Sequence, residues 1–205
     1  MNNNIQSCVK PKIQRAMTKS LIIFDVEATC DVKIPKEKRE LIEIGAVKIE
    51  NGNIVDKFQA LIKPKKNSIL SNYCKELTHI SQEDIDAADE PFVVLQKFLE
   101  WSKNCVLGSW GDFDPEILKR ELHKNKILLP NDIVFANIKK LYLSVKHFPN
   151  TYSLQESLKK EKIVFNGTQH RAYDDAYNTY LLYQKNKKQM DDMFQKIYST
   201  RYTIA

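Results

Sequence analysis

The chain has 205 residues, a formal net charge of +6 and 28% charged side chains, a size that fits one domain with a sizeable core. It holds no apolar stretch near the length of a membrane span, so no membrane partner is expected. The four cysteines, Cys8, Cys30, Cys74 and Cys105, contain no Cys-x-x-Cys pair, which excludes zinc-ribbon spacing and fits reduced thiols in a cytoplasmic protein.

Residues 1–18 read as a basic, flexible arm: Lys10, Lys12 and Arg15 stand there with no acid, and the apolar centre of a secretory signal is missing. The first predicted strand covers residues 20–26 and runs into Leu21-Ile22-Ile23-Phe24-Asp25-Val26-Glu27. Side chains at i and i+2 of a strand share a face, so Asp25 and Glu27 project together at its end. Two close carboxylates repel unless a cation or a proton intervenes, and hard oxygen ligands suit Mg²⁺ or Mn²⁺. From this pair alone, a metal site and a strand running out into a solvated acidic turn are both open.

Residues 31–40 form a charged insertion, expected as a surface loop. Leu41–Ile49 and Ile54–Ile62 read as two strands joined through Asn51-Gly52, a strong hairpin signal. Pro64 ends the third strand. Short helices are expected around Ile69–Leu77 and Ser81–Ala87, the second with Ser81 as N-cap. Apolar spacing through Phe92, Leu95, Phe98 and Leu99 predicts a helix over Pro91–Lys103.

Cys105–Ser109 reads as the fourth strand, followed by Trp110-Gly111-Asp112-Phe113-Asp114 and a helix over Pro115–Asn125. Residues 133–146 fit either a short strand with a helix or one helix. Ser153–Lys160 is a helix with Ser153 and Glu156 in capping-box spacing. Asn166-Gly167 marks a turn before His170-Arg171-Ala172-Tyr173-Asp174-Asp175-Ala176, which opens the last long helix, Ala172–Lys188. Residues 19–188 are thus expected as the folded domain and 189–205 as a polar and aromatic tail. The carboxylates at Asp25/Glu27, Asp112/Asp114 and Asp174/Asp175, with a histidine ahead of the last pair, favour the metal reading over separate helix caps.

The order Asp25-x-Glu27, Asp114, His170-x-x-x-x-Asp175 resembles the DEDDh 3′–5′ exonucleases. Phe24-Asp25-Val26-Glu27-Ala28-Thr29-Cys30 is similar to one branch of that family, which holds the histone-mRNA and small-RNA 3′-exonucleases and the bacterial KapD-like proteins. Glu43-Ile44-Gly45-Ala46-Val47, Leu77-Thr78-His79-Ile80 and Ser109-Trp110-Gly111-Asp112-Phe113-Asp114 are similar as well, and the resemblance covers residues 19–187.

The resemblance implies an α/β, ribonuclease H-like fold with a central mixed sheet of about five strands flanked by helices. It implies a nuclease, a phosphodiester hydrolase releasing nucleoside monophosphates from single-stranded 3′ ends, of RNA rather than DNA. A DNA proofreading-type exonuclease and a poorly turning-over RNA- or protein-binding module are the alternatives. By the family pattern Asp25, Glu27, Asp114 and Asp175 hold two Mg²⁺ or Mn²⁺ ions, Glu27 also touches the water or the terminal ribose, and His170 is the general base. Ala28, Thr29, Ile44, His79 and Trp110 are the substrate-binding candidates, with a buried core role open for Trp110. Adjacent residues on a helix diverge by about 100°, so the family's five-residue interval from His170 selects Asp175 and leaves Asp174 as a solvated neighbour.

Overall fold

The structure, a computed structural model, describes residues 20–148 and 151–200. The expected basic arm over residues 1–18 lies outside them. Five strands, β1 (Ser20–Ala28), β2 (Leu41–Glu50), β3 (Asn53–Leu61), β4 (Cys105–Ser109) and β5 (Val134–Asn137), form one sheet in the order β3-β2-β1-β4-β5. The first three are antiparallel neighbours, and β4 and β5 are added parallel to β1. The β2–β3 hairpin turns on Asn51 and Gly52, both at positive φ (54° and 87°), as a tight turn matching the strand twist requires.

Helices α1 (Asn72–Thr78), α2 (Gln82–Asp86) and α3 (Pro91–Trp101) follow β3, and α4 (Phe113–Lys124) follows β4. Beyond β5 come α5 (Ile138–Lys146), α6 (Leu154–Lys160), α7 (Ala172–Lys185) and α8 (Lys187–Thr200). None of the described helices is long and apolar enough to cross a membrane. The ambiguous stretch 133–146 resolves into a strand and a helix, because the Asn137 side chain accepts from Lys140 N–H at 2.7 Å and starts α5 there.

The sheet separates two apolar layers. Ile22, Phe24 and Val26 of β1 pack with Val94, Leu95, Phe98, Ile117 and Leu118 of α3 and α4. Ile23 packs on the other face with Val47 and with Ala176, Tyr180 and Tyr183 of α7. Continuing the second row by the strand's period of two puts Asp25 and Glu27 on the α7 face. One expectation is corrected here. The last helix is not continuous to Lys188 but breaks at Asn186, whose buried amide donates to Leu182 O at 2.9 Å. Helix α8 follows it, and Met190 within α8 is fully buried in the α7-side core.

Gly45 of β2 lies directly across from Asp25. A Cβ there would stand 2.0 Å from Tyr173 N and 2.3 Å from the Ala172 carbonyl carbon. The first turn of α7 therefore rests on bare β2 backbone, which brings it down to the level of the β1 carboxylates. Gly45→Ala should lower stability by about 1–3 kcal/mol or more, the range for overpacking where backbone must move. Urea unfolding measures it, and a midpoint equal to wild type would show that the helix does not depend on this contact.

Candidate active site

Asp25 and Glu27 occupy the C-terminal end of β1, the central strand, where the β1–β2 register shifts between Glu27 and Ala28. Asp175 is in the first turn of α7, on the flank that carries the buried Ala172, Ala176 and Thr179, positions that share a helix face. The structure brings the three together: an oxygen from each of Asp25, Glu27 and Asp175 lies within 4.8 Å of the others. Asp114, buried in the first turn of α4, is the largest charged influence on Asp25 and receives the Val26 N–H.

Electrostatics reports the crowding. Burial, followed by the charges of Asp114, Glu27 and Asp175, raises Asp25 well above the usual carboxylate range. Burial and then Asp175 push Glu27 up to about 9. Burial raises Asp114 to about 7 against two lowering backbone hydrogen bonds, and raises Asp175 to about 6 against the hydrogen bond from His170. Four carboxylates with these directions of shift ask for a proton or a cation between them. The clustered donors are all carboxylate oxygens, so the set fits a hard divalent ion.

The loop before α7 is fastened at several points. His170 takes a left-handed backbone (φ 60°) and its N–H donates to Asp175 Oδ2 at 2.8 Å, while its side chain is exposed. Asp174 is not a solvated neighbour: its Oδ2 accepts Thr168 N–H at 2.7 Å, and Gly167 passes so close that a Cβ would stand 2.4 Å from its Cγ. The buried Asn178 closes the same loop by accepting Asn166 N–H at 2.9 Å and donating to Asn166 O at 2.8 Å. Asp112 is exposed at the α4 N-cap position without a side-chain capping bond.

Glu43 plays a part that the sequence reading passed over. It pairs with Glu27 across β1 and β2 and is fully buried. Its carboxylate accepts Arg171 Nε at 3.1 Å, Arg171 Nη2 at 2.9 Å, Ala172 N–H at 3.1 Å and Gln59 Nε2 at 2.9 Å. It thus holds the start of α7 between His170 and Asp175. The available signal was an acid inside the apolar run Leu41–Ile49, with an arginine beside the candidate histidine.

The substrate-contact candidates do not assemble in the same way. Ile44 is a correction: it has no exposed surface and lies on the α3/α4 face of the sheet, one residue out of phase with the carboxylate row. Thr29 is buried and already engaged, its N–H donating to Glu40 O at 2.8 Å and its Oγ1 accepting Glu40 N–H at 3.0 Å. Ala28 is buried, and its carbonyl faces the Cys74 thiol at 3.8 Å. The Trp110 ring packs against Tyr142 with centroids 5.9 Å apart, a core contact, and its buried Nε1 has no partner. His79 is exposed at the left-handed C-cap of α1.

KapD of Bacillus subtilis, a probable 3′-5′ exonuclease, is 31% identical over 175 residues, covering 82% of this chain and 84% of that one. ERI1 exoribonuclease 2 of Danio rerio is 29% identical over 192 residues, and the match spans 80% of this chain but only 34% of the relative. The solved nuclease domain of 3′hExo, a DEDDh family member bound to rAMP, superposes with a TM-score of 0.77 at 28% identity over 83% of this chain and 92% of that one. The mixed sheet flanked by helices is accordingly the ribonuclease H-like fold of these DEDDh neighbours. Since the exonuclease family profile also matches residues 22–183, from the strand bearing Asp25 to the helix bearing Asp175, this chain belongs to the DEDDh exonuclease family.

Proposed function

We propose that the protein is a metal-dependent 3′–5′ exonuclease that hydrolyses single-stranded nucleic acid ends and prefers RNA to DNA. The convergence of the Asp25, Glu27 and Asp175 carboxylates, with Asp114 beside them, carries this reading. The RNA preference is supported by the exoribonuclease relative and by the ribonucleotide in the 3′hExo structure.

Asp25, Glu27, Asp114 and Asp175 would hold two Mg²⁺ or Mn²⁺ ions. Such ions acidify a bound water and neutralise charge on the phosphate under attack. His170 accepts the proton of the attacking water on its imidazole. The water oxygen bonds to phosphorus, the P–O3′ bond breaks, and the departing O3′ takes a proton from solvent to become the new 3′-hydroxyl as a 5′-mononucleotide is released. The hydrogen bond from the His170 backbone N–H to the Asp175 carboxylate supports a base held beside a metal ligand.

The test is a time course on matched 5′-labelled RNA and DNA single strands with Mg²⁺, with Mn²⁺ and with EDTA. We expect a ladder shortening from the 3′ end only with metal, faster on RNA. His170→Ala should slow it by about 10²–10⁴-fold, the usual worth of a positioned general base, with an unchanged circular dichroism spectrum. Intact strands under every metal condition from a folded protein would overturn the proposal.

A further inference from the structure

Three segments distant in sequence meet just past the end of β1 that carries Asp25 and Glu27. The 31–40 insertion closes on Thr29 and Glu40 and presents Lys38 and Arg39. The buried Glu40 carboxylate accepts the backbone N–H groups of Lys65 at 3.2 Å, Lys66 at 2.9 Å and Asn67 at 2.7 Å, which draws the loop after β3 against the insertion. Asn67 Nδ2 donates to Lys38 O at 3.1 Å. From the other side, Arg120 of α4 donates from Nη2 to Arg39 O at 2.7 Å, and Lys65 Nζ donates to Asn125 Oδ1 at 3.1 Å.

Glu40 spends its carboxylate on backbone N–H groups and an amide. Among the described residues no ion pair joins Lys38, Arg39, Lys65, Lys66 or Arg120 to an acid. The Nε atoms of Arg39 and Arg120 are both buried without a hydrogen-bond partner.

The face also adjoins the site. Arg120 follows Asp114 along α4 by about 9 Å of helix rise. Arg39 precedes Glu40, whose backbone is bonded both ways to Thr29, two residues after Glu27.

We propose that the face formed by Lys38, Arg39, Lys65, Lys66 and Arg120 binds the phosphate backbone of the nucleic-acid strand upstream of the scissile 3′ end. The inference rests on the exonuclease reading of the carboxylate site. Phosphate oxygens are the acceptors that suit paired guanidinium groups, and sequence-independent backbone contacts suit an enzyme that must keep its grip while the end recedes.

The experiment compares wild type with Lys38→Gln/Lys65→Gln/Lys66→Gln, which leaves the backbone bonds to Glu40 in place, and with Arg120→Gln. Steady-state rates are taken on a long single strand and on a dinucleotide. Anisotropy of the long strand is read in EDTA between about 50 and 200 mM salt. We expect the triple variant to raise KM for the long strand about tenfold, with kcat and dinucleotide cleavage unchanged. The slope of log Kd against log salt should fall by about 2, since each single-strand phosphate contact contributes about 0.7. Arg120→Gln should shift both in the same direction. An unchanged KM and salt slope would overturn the proposal, as when the face instead serves an acidic protein segment. Equal losses on the dinucleotide would overturn it too, because they place the effect at the carboxylates. If wild type cleaves neither substrate, the exonuclease reading fails, and the salt slope alone decides the face.

Discussion

Asp25→Asn should abolish metal-dependent cleavage while raising the melting temperature of the metal-free protein. The two effects share a cause. Asp25 sits where burial and the charges of Asp114, Glu27 and Asp175 all oppose its ionisation. Without a cation, a charged Asp25 works against the fold; with one, it would be a ligand among the clustered carboxylates. Losing a central ligand forfeits several kcal/mol of transition-state stabilisation, and about 4 kcal/mol corresponds to roughly 10³-fold in rate. The pH dependence fixes the sign of the stability effect. The unfolded carboxyls ionise near their ordinary values of 3.8 and 4.5, whereas the folded values rise to about 6 for Asp175, about 7 for Asp114 and about 9 for Glu27. Between those limits the folded protein binds more protons than the unfolded chain, so stability falls as pH rises. Metal-free wild type should therefore melt at progressively lower temperature from pH 4 to pH 9. Divalent metal bound only by the folded state should reverse the loss. Asp25→Asn should show a shallower decline and a much smaller metal-induced rise. Melting curves at several pH values, with EDTA and with Mg²⁺, check this. A variant that melts lower than wild type at neutral pH without metal would refute the account.

The sequence carried the parts of this site that depend on local geometry. A period of two is enough to put Asp25 and Glu27 on one face, and a helical step of about 100° is enough to separate Asp174 from Asp175. It did not carry what depends on where elements land. Ile44 is adjacent to a site strand residue, yet only the pairing of Val26 with Ile44 shows that it points into the opposite layer. Asp174 looked solvated because the turn at Gly167 that folds back over it brings together residues whose contact no helix periodicity encodes. The strand and helix within 133–146 could not be separated by apolar spacing, because the deciding feature is a side-chain cap at Asn137. Glu43 was hidden for the same kind of reason. One acid in an apolar strand reads as an outward-facing residue until the register sets it opposite Glu27 and the chain's return sets Arg171 against it.

That buried pair supports the other large expected effect: Glu43→Ala should destabilise the protein by about 3–5 kcal/mol, the cost of breaking a buried ion pair by removing one partner. Three groups lose their acceptor at once. The Arg171 guanidinium, whose charged form Glu43 favours, is 29% exposed and can turn partly to water. The Ala172 N–H cannot, since Ala172 is fully buried and its N–H belongs to the first helical turn, where no carbonyl within the helix is available. Gln59 loses a partner across β2 and β3. Against this, removing Glu43 relieves a repulsion felt by Asp25 and Glu27, but Glu43 is the smallest charge contribution at Asp25 and ranks behind burial and Asp175 at Glu27. The lost bonds should win. Glu43→Gln keeps an acceptor oxygen and the volume, so it should cost only about 1–2 kcal/mol, the difference between a charged and a neutral hydrogen bond. Urea unfolding of the two variants separates these values. If Glu43→Ala were within 1 kcal/mol of wild type, the start of α7, and with it the placing of His170 and Asp175, would have to be held by Gly45 and the Asn178 loop contacts alone.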